Sequence, residues 1–146
     1  MSVVVREMTL DDHGDAVALW RSVPGVQVTE DDTLDGLAAF LERNPGLSLV
    51  AAEGGTTAGT VLCGHDGRRG YISHLAVVDT HRRQGVADML VTRCVDLLEA
   101  AGIEKCHVFV FRNNGPALSF WRDTGWTPRA ELEVLSTFTA SDRRRP

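Results

Sequence analysis

His81-Arg82-Arg83-Gln84-Gly85-Val86-Ala87 lies between an apolar run, Tyr71 to Val78, and a long amphipathic stretch that ends at Ala101-Gly102. The order reads as strand, basic turn, helix. The first amide N–H groups of a helix lack partners within it and carry the positive end of its dipole. A phosphate satisfies several of them at once. Gly85 lets backbone approach such a ligand with no side chain in the way. Arg82 and Arg83 add charge of the complementary sign. The turn therefore predicts a phosphate-bearing ligand at the carboxyl end of a strand, where open sheets bind.

Beyond the turn, Val86, Leu90, Cys94, Leu97, Leu98 and Ala101 recur at helical spacing. Lys105 to Phe111 alternates like a strand, and Asn113-Asn114-Gly115-Pro116 makes a turn whose proline suits the first position of a helix carrying Ala117, Phe120 and Trp121. Gly125 closes that helix, and Glu131 to Phe138 reads as a last strand. Upstream, Val3 to Val5 is a β-branched strand. A helix follows with Ala16, Val17, Leu19, Trp20 and Val23, stopped by Pro24-Gly25. A second helix opens with acids, Glu30-Asp31-Asp32-Thr33. It carries Leu34, Leu37, Ala38 and Leu41 and ends at Asn44-Pro45-Gly46. Leu47 to Glu53 and Thr57 to Gly64 form a hairpin about Gly54-Gly55, and Gly70 to Val78 returns after a second turn. The order β-α-α-β-β-β-α-β-α-β predicts an α/β fold: one mixed, mostly antiparallel central sheet with helices on both faces, in a single domain over 1–140. Ser141 to Pro146 is a polar tail, with Arg143 to Arg145 expected to be disordered.

Size and charge narrow the function. A chain of 146 residues forms one domain with a core of its own. Its net charge of −5 argues against a general nucleic-acid or membrane-surface binder. No apolar run reaches the roughly 18 residues of a membrane span. Cys63, Cys94 and Cys106 have no metal-like spacing and sit in apolar stretches, so they read as reduced core residues of a cytoplasmic protein, and no metal is expected. The first residues show no secretory leader.

Two blocks together resemble the GNAT N-acetyltransferase superfamily. The first is Leu75-Ala76-Val77 followed by Arg82-x-x-Gly85-x-Ala87, similar to that family's acetyl-CoA motif. The second is Asn114-x-x-Ala117-x-x-Phe120-Trp121 and then Gly125-Trp126. The element order agrees as well, so the resemblance covers nearly the whole chain. It implies transfer of an acetyl group from acetyl-CoA to a primary amine by direct attack on the thioester. It assigns the pantetheine arm and thioester carbonyl to the amides of Leu75, Ala76 and Val77. It assigns the pyrophosphate to Arg82, Arg83, Gln84, Gly85, Val86 and Ala87, and the region near the thioester to Asn114. Family members often dimerise, which extends to this chain as an expectation of a homodimer.

The sequence departs from the family pattern at Asp79, where proline is common, and at Trp121, where a phenol usually protonates the leaving thiolate. Indole N–H donates a hydrogen bond but cannot shuttle a proton. The amine must also lose a proton before attack. Tyr71, the only tyrosine, and His74 are the candidate catalytic residues. Strand alternation puts Tyr71, Ser73, Leu75 and Val77 on one face and Ile72, His74 and Ala76 on the other, so His74 faces away unless a bulge re-aims it. Phe109 stands at another family site for a carboxylate base and is excluded. The acceptor groove falls to the first two helices and their connection, Pro24 to Thr33, where Trp20 and the acids Glu30 to Asp32 are found. The missing phenol motivates a second expectation: a catalytically weak acyl-CoA-binding sensor or partner module.

Overall fold

The computed structural model describes residues 2–143; Met1, Arg144, Arg145 and Pro146 lie outside the described residues, and with them most of the expected arginine tail. The chain divides into two compact units, one through Asn114 and one from Gly115 onward.

The first unit holds five strands: β1 (Val4–Glu7), β2 (Leu49–Glu53), β3 (Thr56–His65), β4 (Gly70–Val77) and β5 (Cys106–Val108). They lie side by side in chain order. The first three pairings are antiparallel, and β4–β5 is parallel. The β2–β3 hairpin turns on Gly54 and Gly55, both with positive φ (57° and 83°), as a tight two-residue turn requires. The sheet is thus mixed and mostly antiparallel, as expected.

Helices α1 (His13–Ser22) and α2 (Leu34–Arg43) cover one face. There Ala16, Leu19, Trp20 and Leu37 form a core with Met8, Val50, Leu62 and Ala76. Leu34, expected on the apolar face of α2, is exposed. It is the first residue of that helix, directly after the Thr33 cap, so it precedes the stripe that meets the sheet. Each helix follows a single 3-10 turn, Leu10–Asp12 before α1 and Glu30–Asp32 before α2. The other face belongs to α3 (Val86–Ala100), which buries Val86, Leu90, Val91, Cys94 and Leu98. Space for α3 comes from glycine: a Cβ on Gly59 would press on Val86 and Leu90, and one on Gly70 would collide with Leu98. Cys63 and Cys94 are fully buried, Cys106 half-buried, and none is in a disulfide.

β5 stops at Val108, although alternation ran to Phe111. Its pairing with β4 ends at Ile72↔Val108, and the exposed Phe109 and Phe111 belong to no strand. The second unit contains α4 (Gly115–Asp123), where Trp121 is packed between the rings of Phe120 and Trp126 at 5.1 and 4.7 Å. The last strand expected over Glu131 to Phe138 does not form. Leu132, Val134, Leu135 and Phe138 are exposed and have no ladder partner among the described residues. Alternation prepares a segment for a sheet, but only a neighbouring edge makes it a strand. Among the described residues no helix is long and apolar enough to cross a membrane.

Candidate active site

The site grows from the place where β4 and β5 part. Beyond Ile72 the β5-side edge of β4 has no ladder partner among the described residues, so Ser73 to Val77 border an open notch. Leu75 and Val77 are half-buried there, and Ala76 is buried in the α1/α2 core. The strand then runs through a 3-10 turn, Asp79–His81, into the basic loop.

Two residues of that loop have positive φ, Arg83 (62°) and Gly85 (78°). Gly85 is the N-cap of α3, and no side chain caps it. The first helical bond beside it is Met89 N–H to the Gly85 carbonyl at 3.0 Å, so the amides of Val86, Ala87 and Asp88 have no acceptor within the helix. By contrast, the Thr33 hydroxyl caps α2 by accepting from Gly36 N–H at 3.1 Å. Val86 faces the sheet, while Arg82, Arg83, Gln84 and Gly85 are exposed. Arg82 is held back on the loop: its Nε donates to the Val77 carbonyl at 3.3 Å and its Nη1 pairs with Asp79 at 3.1 Å. Gln84 Nε2 donates to the Thr80 carbonyl at 3.2 Å.

β4 carries a bulge that the alternation rule missed. Its register against β3 jumps between Leu62↔Ser73 and Thr60↔Ala76. At the jump, His74 has φ 52°, a left-handed conformation rare outside glycine. The extra residue reverses the sense of the strand. His74 joins Ala76 on the α1/α2 face, with its ring edge-on to Trp20 of α1 at 4.6 Å and 87°. The expectation that His74 faces away is thereby corrected, and so is the pairing of faces beyond Ser73. Ile72 stays opposite, its neighbour on β3 being Cys63.

His74 Nε2 lies 3.0 and 3.1 Å from the two carboxylate oxygens of Asp32. Asp32 also accepts from Thr29 N–H at 3.0 Å, and its carbonyl accepts from His13 Nε2 at 2.7 Å. The bulge is tied from below: Trp20 Nε1 donates to Thr60 Oγ1 at 2.8 Å, and Thr60 Oγ1 donates to the His74 carbonyl at 3.1 Å.

Tyr71 sits two residues before Ser73, half out in solvent, its ring beside those of His107 (5.8 Å) and Phe109 (6.1 Å). No hydrogen bond among the described residues joins it to His74. Asn114 packs on the connection after α1, where a Cβ on Gly25 would collide with its amide. His107 escaped the sequence reading, and Asp32 was read there only as one of the acids of the acceptor connection, not as the partner of His74. The signal for Asp32 was present in Thr29-x-x-Asp32, whose acid three residues after the cap bonds back to Thr29.

Comparison with known proteins gives the family and the fold. The sequence model described as "Acetyltransferase (GNAT) family" matches residues 15–126. An acetyltransferase of Pectobacterium atrosepticum is 28% identical over 139 residues, covering 95% of this chain and 94% of its own. In fold, the chain is similar to Ard1 from Thermoplasma volcanium (TM-score 0.77, 17% identity, 99% of this chain and 93% of that one). It is also similar to a predicted acetyltransferase with acetyl-CoA from Clostridium acetobutylicum (TM-score 0.71, 16% identity, 92% and 96%).

Proposed function

Because the chain belongs to the GNAT acetyltransferase family, with acetyl-CoA as its acetyl donor, we propose that it acetylates a primary amine by direct attack on the thioester. The observation that carries this reading is the uncapped start of α3 beside the open edge of β4. The free amides of Val86, Ala87 and Asp88, with Arg82 and Arg83, suit the pyrophosphate. Amides of Leu75, Ala76 and Val77 along the notch suit the arm and the oxyanion of the tetrahedral intermediate. Asn114, packed against Gly25 on the connection after α1, suits a contact near the thioester. Holding amine and thioester together supplies much of the rate.

His74 serves as the base. The bulge turns its ring to the face of α1, against Trp20, and towards Asp32 of the Pro24 to Thr33 connection, the side this reading gives to the acceptor. Tyr71, which shares that face because the bulge intervenes between it and His74, is the phenol available to protonate the leaving thiolate.

Calorimetry with acetyl-CoA, followed by turnover against a panel of amines with mass detection of the acetylated product, tests the reading. Micromolar binding and acetylation of at least one amine are expected. Absence of heat at millimolar acetyl-CoA would overturn it. A second reading, the catalytically weak acyl-CoA-binding module, draws support from Trp121 at the usual phenol position. It predicts binding without turnover on every amine tried.

A further inference from the structure

Asp32 is one of two aspartates built the same way. Thr9-x-x-Asp12 and Thr29-x-x-Asp32 each open a 3-10 turn, and in each the aspartate bonds back to the threonine N–H, at 2.9 and 3.0 Å. Both are buried. They differ in what faces the carboxylate. Asp12 takes a two-pronged bond from Arg6, at 2.7 and 2.9 Å, a partner that never releases its proton. Asp32 takes His74, whose ring has a second nitrogen that can accept a proton. Capping the turn needs only one oxygen of Asp32; His74 sits almost equally close to both.

We propose that Asp32 positions His74 for catalysis, holding the Nε2–H so that the Nδ1 lone pair points to the acceptor amine. This rests on the acetyltransferase reading above. A carboxylate only accepts hydrogen bonds, so the proton of the neutral ring must lie on Nε2. Among the described residues Nδ1 has no hydrogen-bond partner, which leaves it to the substrate. The arrangement is over-determined. Trp20 stands edge-on against the ring, Thr60 grips the His74 carbonyl, and Thr29 and His13 fix Asp32 from two sides. A left-handed histidine is strained and persists only where its surroundings enforce it. Asp32 is 5% exposed and His74 19%, so the carboxylate is shielded while the ring keeps a route to solvent.

In the step itself, the amine nitrogen forms a bond to the thioester carbon as its proton moves to Nδ1. The C–S bond then breaks with its electron pair on sulfur. The thiolate takes up a proton, and the imidazolium gives its own to water, so the ring returns neutral.

The test compares Asp32→Asn and Asp32→Glu with the unaltered chain and with His74→Ala. An asparagine keeps one oxygen for Thr29 but offers His74 an N–H donor, which favours the opposite tautomer. Asp32→Asn should lose about 100-fold or more in kcat, the scale of a general base. Its acetyl-CoA affinity and melting temperature should stay near those of the parent. Asp32→Glu should recover part of the loss, and imidazole in the buffer should partly rescue His74→Ala. Asparagine at 32 with kcat within twofold of the parent would overturn the assignment, as would equal losses in melting temperature and acetyl-CoA binding. An inactive parent chain would instead remove the acetyltransferase reading, so the two failures are distinct.

Discussion

Single residues set the sharpest expectations. At Gly85 a Cβ meets nothing within 4 Å, yet φ is 78°, so the cost of a side chain is conformational and not steric. Gly85→Ala should lower stability by about 1–2 kcal/mol in denaturant titration. Gly85→Glu adds a carboxylate that competes with phosphate for the helix start, and calorimetry should show acetyl-CoA affinity lower by about tenfold more, the equivalent of ~1.4 kcal/mol. Arg6 and Asp12 give a pH dependence. The Arg6 hydrogen bond pulls the Asp12 carboxylate below its ordinary 3.8, outweighing the opposing effect of burial, with Thr9 N–H assisting. Stability from this pair is full above the unfolded value and is lost as pH falls through the lower folded one. Asp12→Asn should therefore cost about 1–3 kcal/mol at neutral pH. It should also unfold less steeply than the parent on acidification, as followed by circular dichroism. Gly85 was legible because a glycine between arginines and a helix has few other uses. The partner of Asp12 was not, since nothing local tells which cation will reach a capping acid.

Elements were read well where periodicity met a partner and poorly where it did not. The 15 residues of α3 show most of their stripe in sequence: the structure buries Val86, Leu90, Cys94 and Leu98, adds Val91, and leaves Leu97 half-buried and Ala101 exposed beyond the last turn. In β4, period-two reasoning held from Gly70 to Ser73 and failed at His74, because a bulge inserts one residue without marking the sequence. The reason for its position lies on the neighbouring strand, in the buried hydroxyl of Thr60 that bonds the His74 carbonyl. Thr60→Val keeps the shape but removes that donor and the acceptor for Trp20 Nε1. Two buried groups then go unpaired, each worth about 1–3 kcal/mol. The variant should melt earlier in calorimetry, and its kcat should fall more than its acetyl-CoA affinity, because the displaced group is the histidine and not the phosphate loop. Glu131 to Phe138 teaches the converse. Its first half alternates, Glu131-Leu132-Glu133-Val134, but it has no ladder partner among the described residues, so the pattern alone named an element that is not there.

At the scale of the molecule, the mixed, mostly antiparallel sheet with helices on both faces followed from the sequence, the side-by-side order of its strands came only with the structure, and the resemblance to a family supplied the ligand. The sheet brings strands in chain order, so the one parallel pairing, β4 with β5, falls at the edge of a ladder that is otherwise antiparallel. Its early end makes the notch. A ligand bridging that notch and the start of α3 should stabilise the whole unit through Asn114. At 100 times its dissociation constant, acetyl-CoA should add about 2.7 kcal/mol, visible as a rise in melting temperature that free acetate does not reproduce. The three thiols bear on how such chemistry is watched. Cys94 is pushed up by its hydrogen bond with Cys63 and by burial, Cys106 is pushed up to about 12, mainly by burial, and Cys63, lowered by its hydrogen bond with Cys94, is shut off from solvent altogether. A chromogenic disulfide reagent added to a running reaction would meet the sulfur of released coenzyme first, while the enzyme's own sulfurs stay dark until heat or urea opens the sheet. The same dye would then count unfolded chains.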